Sequence, residues 1–244
     1  MAVVTLTING EVISAHDDQT LLEVAREHGI AIPTLCHLEG LGDVGACRLC
    51  LVEVEGSPKL QASCTTRPQE GMVVRTSTPR LDRYRRTIVE FLASEGNHVC
   101  AVCVSNGHCE LQDLALATGL EYVRVPYLYP DKTLDASHPD FVMDHNRCVL
   151  CTRCVRVCDE VEGAHTWDIA NRGIACTIVA GLNQPWGQVD TCTACGKCVA
   201  VCPTGALFAK GRAVSEQTKK TDFLNYIVTA RRRREWDHGT LAQE

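Results

Sequence analysis

Residues 148–158, CVLCTRCVRVC, and 192–202, CTACGKCVAVC, share one cysteine spacing, C-x2-C-x2-C-x3-C. The two stretches agree at six of eleven positions and start 44 residues apart, which predicts a pseudo-twofold unit made by duplication. Three cysteines at successive three-residue steps cap three corners of one iron–sulfur cube, while the fourth reaches across to the other. On that rule Cys148, Cys151, Cys154 and Cys202 hold one 4Fe–4S cluster, and Cys192, Cys195, Cys198 and Cys158 hold another. Zinc sites rarely use this triple step. Pro203 follows Cys202 as in the bacterial two-cluster pattern, whereas Asp159 follows Cys158, a change expected to alter the turn beside that cluster.

Upstream, residues 97–112 read NHVCAVCVSNGHCELQ. Cys100, Cys103 and Cys109 leave one coordination position open, which His98 or His108 can fill. Zinc held by three cysteines and a histidine is chemically reasonable on this spacing. For an iron–sulfur cluster, a neutral imidazole in place of a thiolate lowers the negative charge and raises the potential. His108 adjoins Cys109, so joint ligation by both is strained; His98 is the favoured ligand.

Further upstream, Cys36, Cys47, Cys50 and Cys64 lie in a segment containing Gly40, Gly42 and Gly45. Glycines let backbone N–H groups close on anionic sulfurs. The alternative is a four-cysteine zinc site, but that normally offers two C-x2-C knuckles and this segment has one. Flanking residues outline a β-grasp domain, which with four thiolates fits a 2Fe–2S cluster. Strands are expected at 3–8 and 11–14 around the hairpin signal Asn9-Gly10. A capping box from Thr20 to Glu23 opens a helix through about His28. Further strands follow at 51–55 and 72–76. Thr78-Pro79 starts a helix over 80–93, with Leu81, Tyr84, Ile88, Phe91 and Leu92 forming one buried stripe.

The whole chain has 244 residues, 45% apolar and 22% charged, with 24 Lys plus Arg against 30 Asp plus Glu. A formal charge of −6 argues against a nucleic-acid binder held by a broad basic surface. No apolar run approaches the ~18 residues of a membrane span, and the start, MAVVTLTING, lacks the basic region of a secretory signal. Sixteen cysteines in an expected cytoplasmic protein therefore indicate metal or redox chemistry, not disulfides. Fifteen cysteines and one histidine serve four clusters, leaving Cys176 as a buried small apolar residue. Arg147, Arg153, Arg156 and Lys197 lie near ligands in sequence and can stabilise reduced clusters or be ordinary surface charge. The four arginines 231–234 read as a solvated helix end.

The expected fold is α+β: a β-grasp 2Fe–2S ferredoxin domain (1–78), a helical 4Fe–4S segment ligated by one histidine and three cysteines (79–126), a linker (127–139), a bacterial two-cluster 4Fe–4S ferredoxin-like domain (140–212) and a polar, helical tail (213–244). Over roughly residues 1–212 this order resembles the N-terminal region of the large iron–sulfur subunit of respiratory complex I and of iron-only hydrogenases. Those relatives place the histidine four residues before the first cysteine; here Gly96 stands there and His98 is two before. The chain ends about 40 residues after Cys202, an expected bar to a hydrogen-activating or molybdenum domain. With NHVCAVCVSNGHCELQ at its second cluster, it is similar to the small diaphorase subunit of soluble NAD-reducing (bidirectional) nickel–iron hydrogenases. The resemblance implies a heteromultimer that is not catalytic in this chain alone. FMN and NAD would be carried by a flavin-binding diaphorase partner, with the small iron–sulfur subunit of the hydrogenase as the second partner. The same wiring would serve an NAD-dependent formate dehydrogenase, a complex I-like NADH dehydrogenase or a free polyferredoxin carrier.

Overall fold

The computed structural model describes residues 2–233. Strand β1 (Val3–Ile8) turns through Asn9-Gly10 into β2 (Glu11–His16), with Ile8 facing Glu11 across the loop. Both turn residues have positive φ, 53° and 93°, as a two-residue hairpin requires. Helix α1 (Leu21–Glu27) starts at Thr20, whose hydroxyl accepts from the Glu23 N–H while the Glu23 carboxylate accepts from the Thr20 N–H. Strands β3 (Leu51–Val54), β4 (Gln61–Ala62) and β5 (Val73–Arg75) complete a five-stranded sheet ordered β2-β1-β5-β3-β4, with β1 and β5 parallel. Leu22, Val24, Ala25, Leu6, Ile8 and Val52 fill its core beneath α1. Each fully buried aliphatic side chain there contributes about 1.5–3 kcal/mol.

Helix α2 (Pro79–Ser94) forms where expected, but its buried face differs. Leu81 and Val89 are fully buried, whereas Tyr84 and Phe91 are nearly half exposed. The middle of the buried face is Arg85, whose guanidinium donates to the carbonyls of Leu49, Leu51 and Thr76. Three carbonyl acceptors make a buried charge tolerable between Leu81 and Val89, in place of the expected Tyr84 and Phe91. Ile88 and Leu92 pack beside Leu35, Leu49, Leu111 and Leu114, the last two from α3 (Glu110–Ala117).

Residues 127–139 are more than a linker: β6 (Leu134–Asp135) pairs with β7 (Phe141–Asp144), which pairs in turn with β10 (Leu207–Ala209). A second ribbon joins β8 (Trp167–Ala170) to β9 (Thr177–Ala180). The repeat is visible in three dimensions. Short helices α4 (Arg153–Val157) and α5 (Lys197–Val201) follow equivalent turns, in which Leu150 and Thr152, and their counterparts Ala194 and Gly196, all take positive φ. For the three residues other than glycine this conformation costs about 1–2 kcal/mol apiece. The repeat breaks after α4: Asp159 keeps its N–H, so the chain continues as a wide π-type turn over Cys158–Glu162 before Gly163 ends it. On the other side Pro203 stops the chain from continuing α5.

The tail is bound to the body. Helix α6 (Asn225–Arg233) and the turn before it bury Leu224 and Ile227 in the core of the C-terminal unit, together with Leu41 from the N-terminal domain. Gly40 has φ +96°, and a Cβ there would sit 3.1 Å from the Leu224 Cβ. The arginine side chains 231–234 lie outside the described residues. Among the described residues no helix is long and apolar enough to cross a membrane.

Candidate metal centres

None of the sixteen cysteines forms a disulfide. Cys36 and Cys47 face each other, each backbone N–H 3.4 Å from the other's sulfur, and the Cys50 and Cys64 sulfurs are 3.4 Å apart. Within each pair the shared hydrogen bond splits the acidities. It takes Cys47 down to about 6 and Cys50 down to about 7, while it and burial hold Cys36 and Cys64 up. Backbone N–H groups of Leu49, Cys36 and Leu35 add to the Cys47 effect. The two pairs are close enough for Cys36 to raise both Cys50 and Cys64 by repulsion. His37, buried beside Cys36, binds Asp43 at 2.6 Å and Arg26 at 2.7 Å, a network that sequence reading missed.

Cys100, Cys103, Cys109 and His98 line one cavity of 210 Å³; His108 is exposed and outside it. The Leu92 carbonyl, 3.1 Å from His98 Nε2, accepts its proton and leaves Nδ1 unprotonated. Burial lowers the His98 pKa and so favours neutral imidazole. An imidazole with one N–H on a backbone carbonyl has the outer bond usual for metal-ligating histidine. Gly96 leaves room for the ring, since a Cβ there would meet His98 Nε2 at 2.5 Å. Gly205 similarly makes room for Cys103 Sγ, 2.5 Å from where its Cβ would be.

Cys148, Cys151, Cys154 and Cys202 line one cavity. Cys158, Cys192, Cys195 and Cys198 line another with Trp167 and Trp186. The fourth cysteine of each run is therefore exchanged between repeats. Burial pushes Cys148 and Cys198 up to about 12, Cys151 up to about 11, and Cys154 well up too. Buried thiols that resist ionisation gain their compensating charge when a metal binds. N–H donors already point at several sulfurs. Thr166 N–H lies 3.3 Å from Cys158 Sγ, and Trp186 Nε1–H lies 3.2 Å from Cys192 Sγ. Leu150 and Arg153 backbone N–H groups bond Cys148 and Cys151. Among the described residues no three His, Cys, Asp or Glu side chains converge on a single-ion position. Sulfurs gathered around a cavity and supplied with N–H donors suit a thiolate-bound metal centre.

Cys176 departs from the expected full burial: it is half-buried, following the exposed turn Gly173–Ala175. It lines a separate 370 Å³ cavity with His145, Lys132 and Cys148. The cations near the ligands are not free surface charge. Arg153 and Arg156 are buried, while Arg147 and Lys197 are half-buried and paired with Asp144 and Glu162.

Three family descriptions match successive parts of the chain. Residues 1–79 match a 2Fe–2S iron–sulfur cluster binding domain, and residues 85–124 match the NADH-ubiquinone oxidoreductase-G iron–sulfur binding region. Residues 139–208 match the ferredoxin-like domain of NADH-quinone oxidoreductase subunit 3. The chain is 38% identical over 218 residues to the HndD subunit of NADP-reducing hydrogenase of Solidesulfovibrio fructosivorans, covering 85% of this chain and 36% of that protein. It thus spans about a third of that longer relative. It is 34% identical over 212 residues to the gamma subunit of NAD-reducing hydrogenase HoxS of Cupriavidus necator, covering 85% and 87% of the two chains. A chain in the crystal structure of an NAD+-reducing NiFe-hydrogenase in the H2-reduced state superposes with a TM-score of 0.81 at 41% identity, covering 87% of this chain and 89% of that one. The chain carries 2Fe–2S and 4Fe–4S cluster-binding domains in an α+β fold, and it belongs to the family of iron–sulfur subunits that includes the gamma subunit of NAD-reducing hydrogenase.

Proposed function

We propose that this chain is the electron-transfer subunit of an NAD-reducing hydrogenase, passing electrons singly between a hydrogenase module and a flavin- and NAD-binding partner. Bound iron–sulfur clusters supply one-electron redox chemistry. Cys36, Cys47, Cys50 and Cys64 would hold one 2Fe–2S cluster. Three 4Fe–4S clusters would be held by His98 with Cys100, Cys103 and Cys109; by Cys148, Cys151, Cys154 and Cys202; and by Cys192, Cys195, Cys198 and Cys158. The observation that carries the reading is the exchange of Cys158 and Cys202 between the two repeats, each lining the other repeat's cavity. A zinc scaffold has no need of that exchange.

The protein's own part is to bury the ligands, exclude water, and direct N–H groups at the sulfurs so that added negative charge is stabilised. The two most exposed ligands, Cys100 and Cys195, lie in different cavities, so electrons can reach the chain at separate places. The partners proposed are a flavin-binding diaphorase subunit and a small iron–sulfur hydrogenase subunit in a cytoplasmic complex.

Anaerobic co-purification with the tagged chain, followed by elemental analysis, tests this. Nickel with abundant iron and hydrogen-dependent NAD reduction supports the reading. Molybdenum or tungsten without nickel would assign the chain to a formate dehydrogenase. Iron without a further metal would leave a complex I-like module or a free carrier.

A further inference from the structure

Several cations adjoin the candidate ligands: half-buried Lys219 donates to the Cys202 and Thr204 carbonyls, and three others have carboxylate partners. Arg147 pairs with Asp144 at 3.3 Å, Arg153 with Glu110 at 2.6 Å, and Lys197 with Glu162. Arg156 differs. It is 7% exposed, and its guanidinium donates to the carbonyls of Cys36 (2.5 Å), Gly42 (2.5 Å) and Cys151 (3.2 Å) and to Thr152 Oγ1 (3.3 Å). Among the described residues no carboxylate lies within 4.0 Å of it. Glu160 reaches the same loop from outside, accepting from the Gly42 N–H at 2.7 Å, but Glu160 is exposed to solvent.

A buried guanidinium with only neutral acceptors is hydrogen-bonded but not charge-compensated, a costly arrangement unless an anion stands near. Two of the three carbonyls that it binds belong to a ligand of the N-terminal cysteine loop and a ligand of the first C-terminal run. Cys36 and Cys151 are 115 residues apart in sequence and meet at this one side chain. Arg153, one turn earlier on α4, reaches the same N-terminal loop: it donates to the His37 carbonyl at 2.8 Å and to the carboxylate of Glu110, which follows Cys109. Arg153 carries a paired charge and so acts as a strut; Arg156 carries an unpaired one.

We propose that Arg156 is a positioning residue whose uncompensated charge holds up the potentials of two centres together, that of Cys36, Cys47, Cys50 and Cys64 and that of Cys148, Cys151, Cys154 and Cys202. This rests on the ligand sets proposed above. An added electron makes a thiolate-ligated cluster more negative, so a fixed cation beside it stabilises the reduced form. Attraction over roughly 10 Å at an effective dielectric near 20 corresponds to about a tenfold change in an equilibrium. Because one guanidinium bonds both ligand loops, its removal acts on both centres and spares the Cys192 centre.

The test is EPR-monitored potentiometry of the anaerobically purified complex carrying Arg156→Gln. The expected result is about a tenfold lower reduced-to-oxidised ratio at fixed potential, about 59 mV for one electron, at the 2Fe–2S centre and at one 4Fe–4S centre. The other two centres should hold their potentials. No movement, movement at only one centre, or an equal shift at all four would overturn the proposal. Should Arg156→Gln come without iron, Arg156→Lys decides. A variant that keeps the charge must load both centres at near wild-type potentials; failure to load would show that the fork geometry alone matters, against the proposal. A wild-type protein lacking these clusters would refute the ligand reading itself, whereas loaded clusters with unmoved potentials would refute only the role of Arg156.

Discussion

Replacing Trp186 with phenylalanine separates a hydrogen bond to a cluster sulfur from the packing around it. Trp186 is 1% exposed and sits in an aromatic group, with ring centroids 4.6 Å from Trp167, 4.6 Å from His138 and 5.6 Å from Phe141. Its backbone N–H donates to Asp135, and its indole N–H lies 3.2 Å from Cys192 Sγ. Phenylalanine keeps a ring in the stack and the backbone bond, but it removes the indole donor. A hydrogen bond to a charged acceptor is worth about 1.5–3 kcal/mol. The sulfur becomes a better acceptor on reduction, and taking about 1 kcal/mol as the redox-dependent part gives a potential lower by about 40 mV. Trp186→Phe also leaves a small gap, costing about 1–2 kcal/mol of stability. EPR-monitored titration under nitrogen reads the potential, and the signal perturbed by Cys192→Ser identifies the centre. An unmoved potential there, or the same shift at the Cys148 centre, would refute the N–H···S reasoning.

Other perturbations address separate parts of the fold. Gly205→Ala puts a Cβ 2.5 Å from Cys103 Sγ, and should lower iron content through loss of one 4Fe–4S cluster, with the 2Fe–2S absorbance retained. Thr20→Ala removes the helix cap and should cost about 1 kcal/mol in chemical unfolding without changing iron content. Arg85→Met leaves three carbonyls without their shared donor; the expected loss is about 1–3 kcal/mol, read as a lower denaturation midpoint. Cys176→Ala should keep the full iron content, while Cys148→Ala should lose a cluster.

Much of this architecture is legible in sequence because it depends on local chemistry. Asn9-Gly10 and the Thr20–Glu23 capping box act within a few residues, and both form as their residue types dictate. The duplicated cysteine run is equally local, and its left-handed turns recur at corresponding positions. What sequence concealed depends on distant partners. Arg85 occupies the buried face of α2 because carbonyls from Leu49 and Leu51 come to meet it, and helical periodicity holds no record of them. Arg153 and Arg156 read equally well as surface charge until the N-terminal loop closes over α4. Tyr84 and Phe91 match the apolar spacing of α2 yet remain on its exposed side, since the small core beneath is filled by Leu81, Val89 and their neighbours. The two-residue strands β4 and β6 are too short for any alternation to mark them.

By the ligand sets proposed above, the four cysteine-rich sites hold four iron–sulfur clusters. Iron and acid-labile sulfide counting on the anaerobically purified chain, alongside EPR of the reduced protein, tests it most directly. The expected result is a brown protein with about fourteen iron atoms per chain, the complement of one 2Fe–2S and three 4Fe–4S clusters. A colourless protein holding stoichiometric zinc would contradict it.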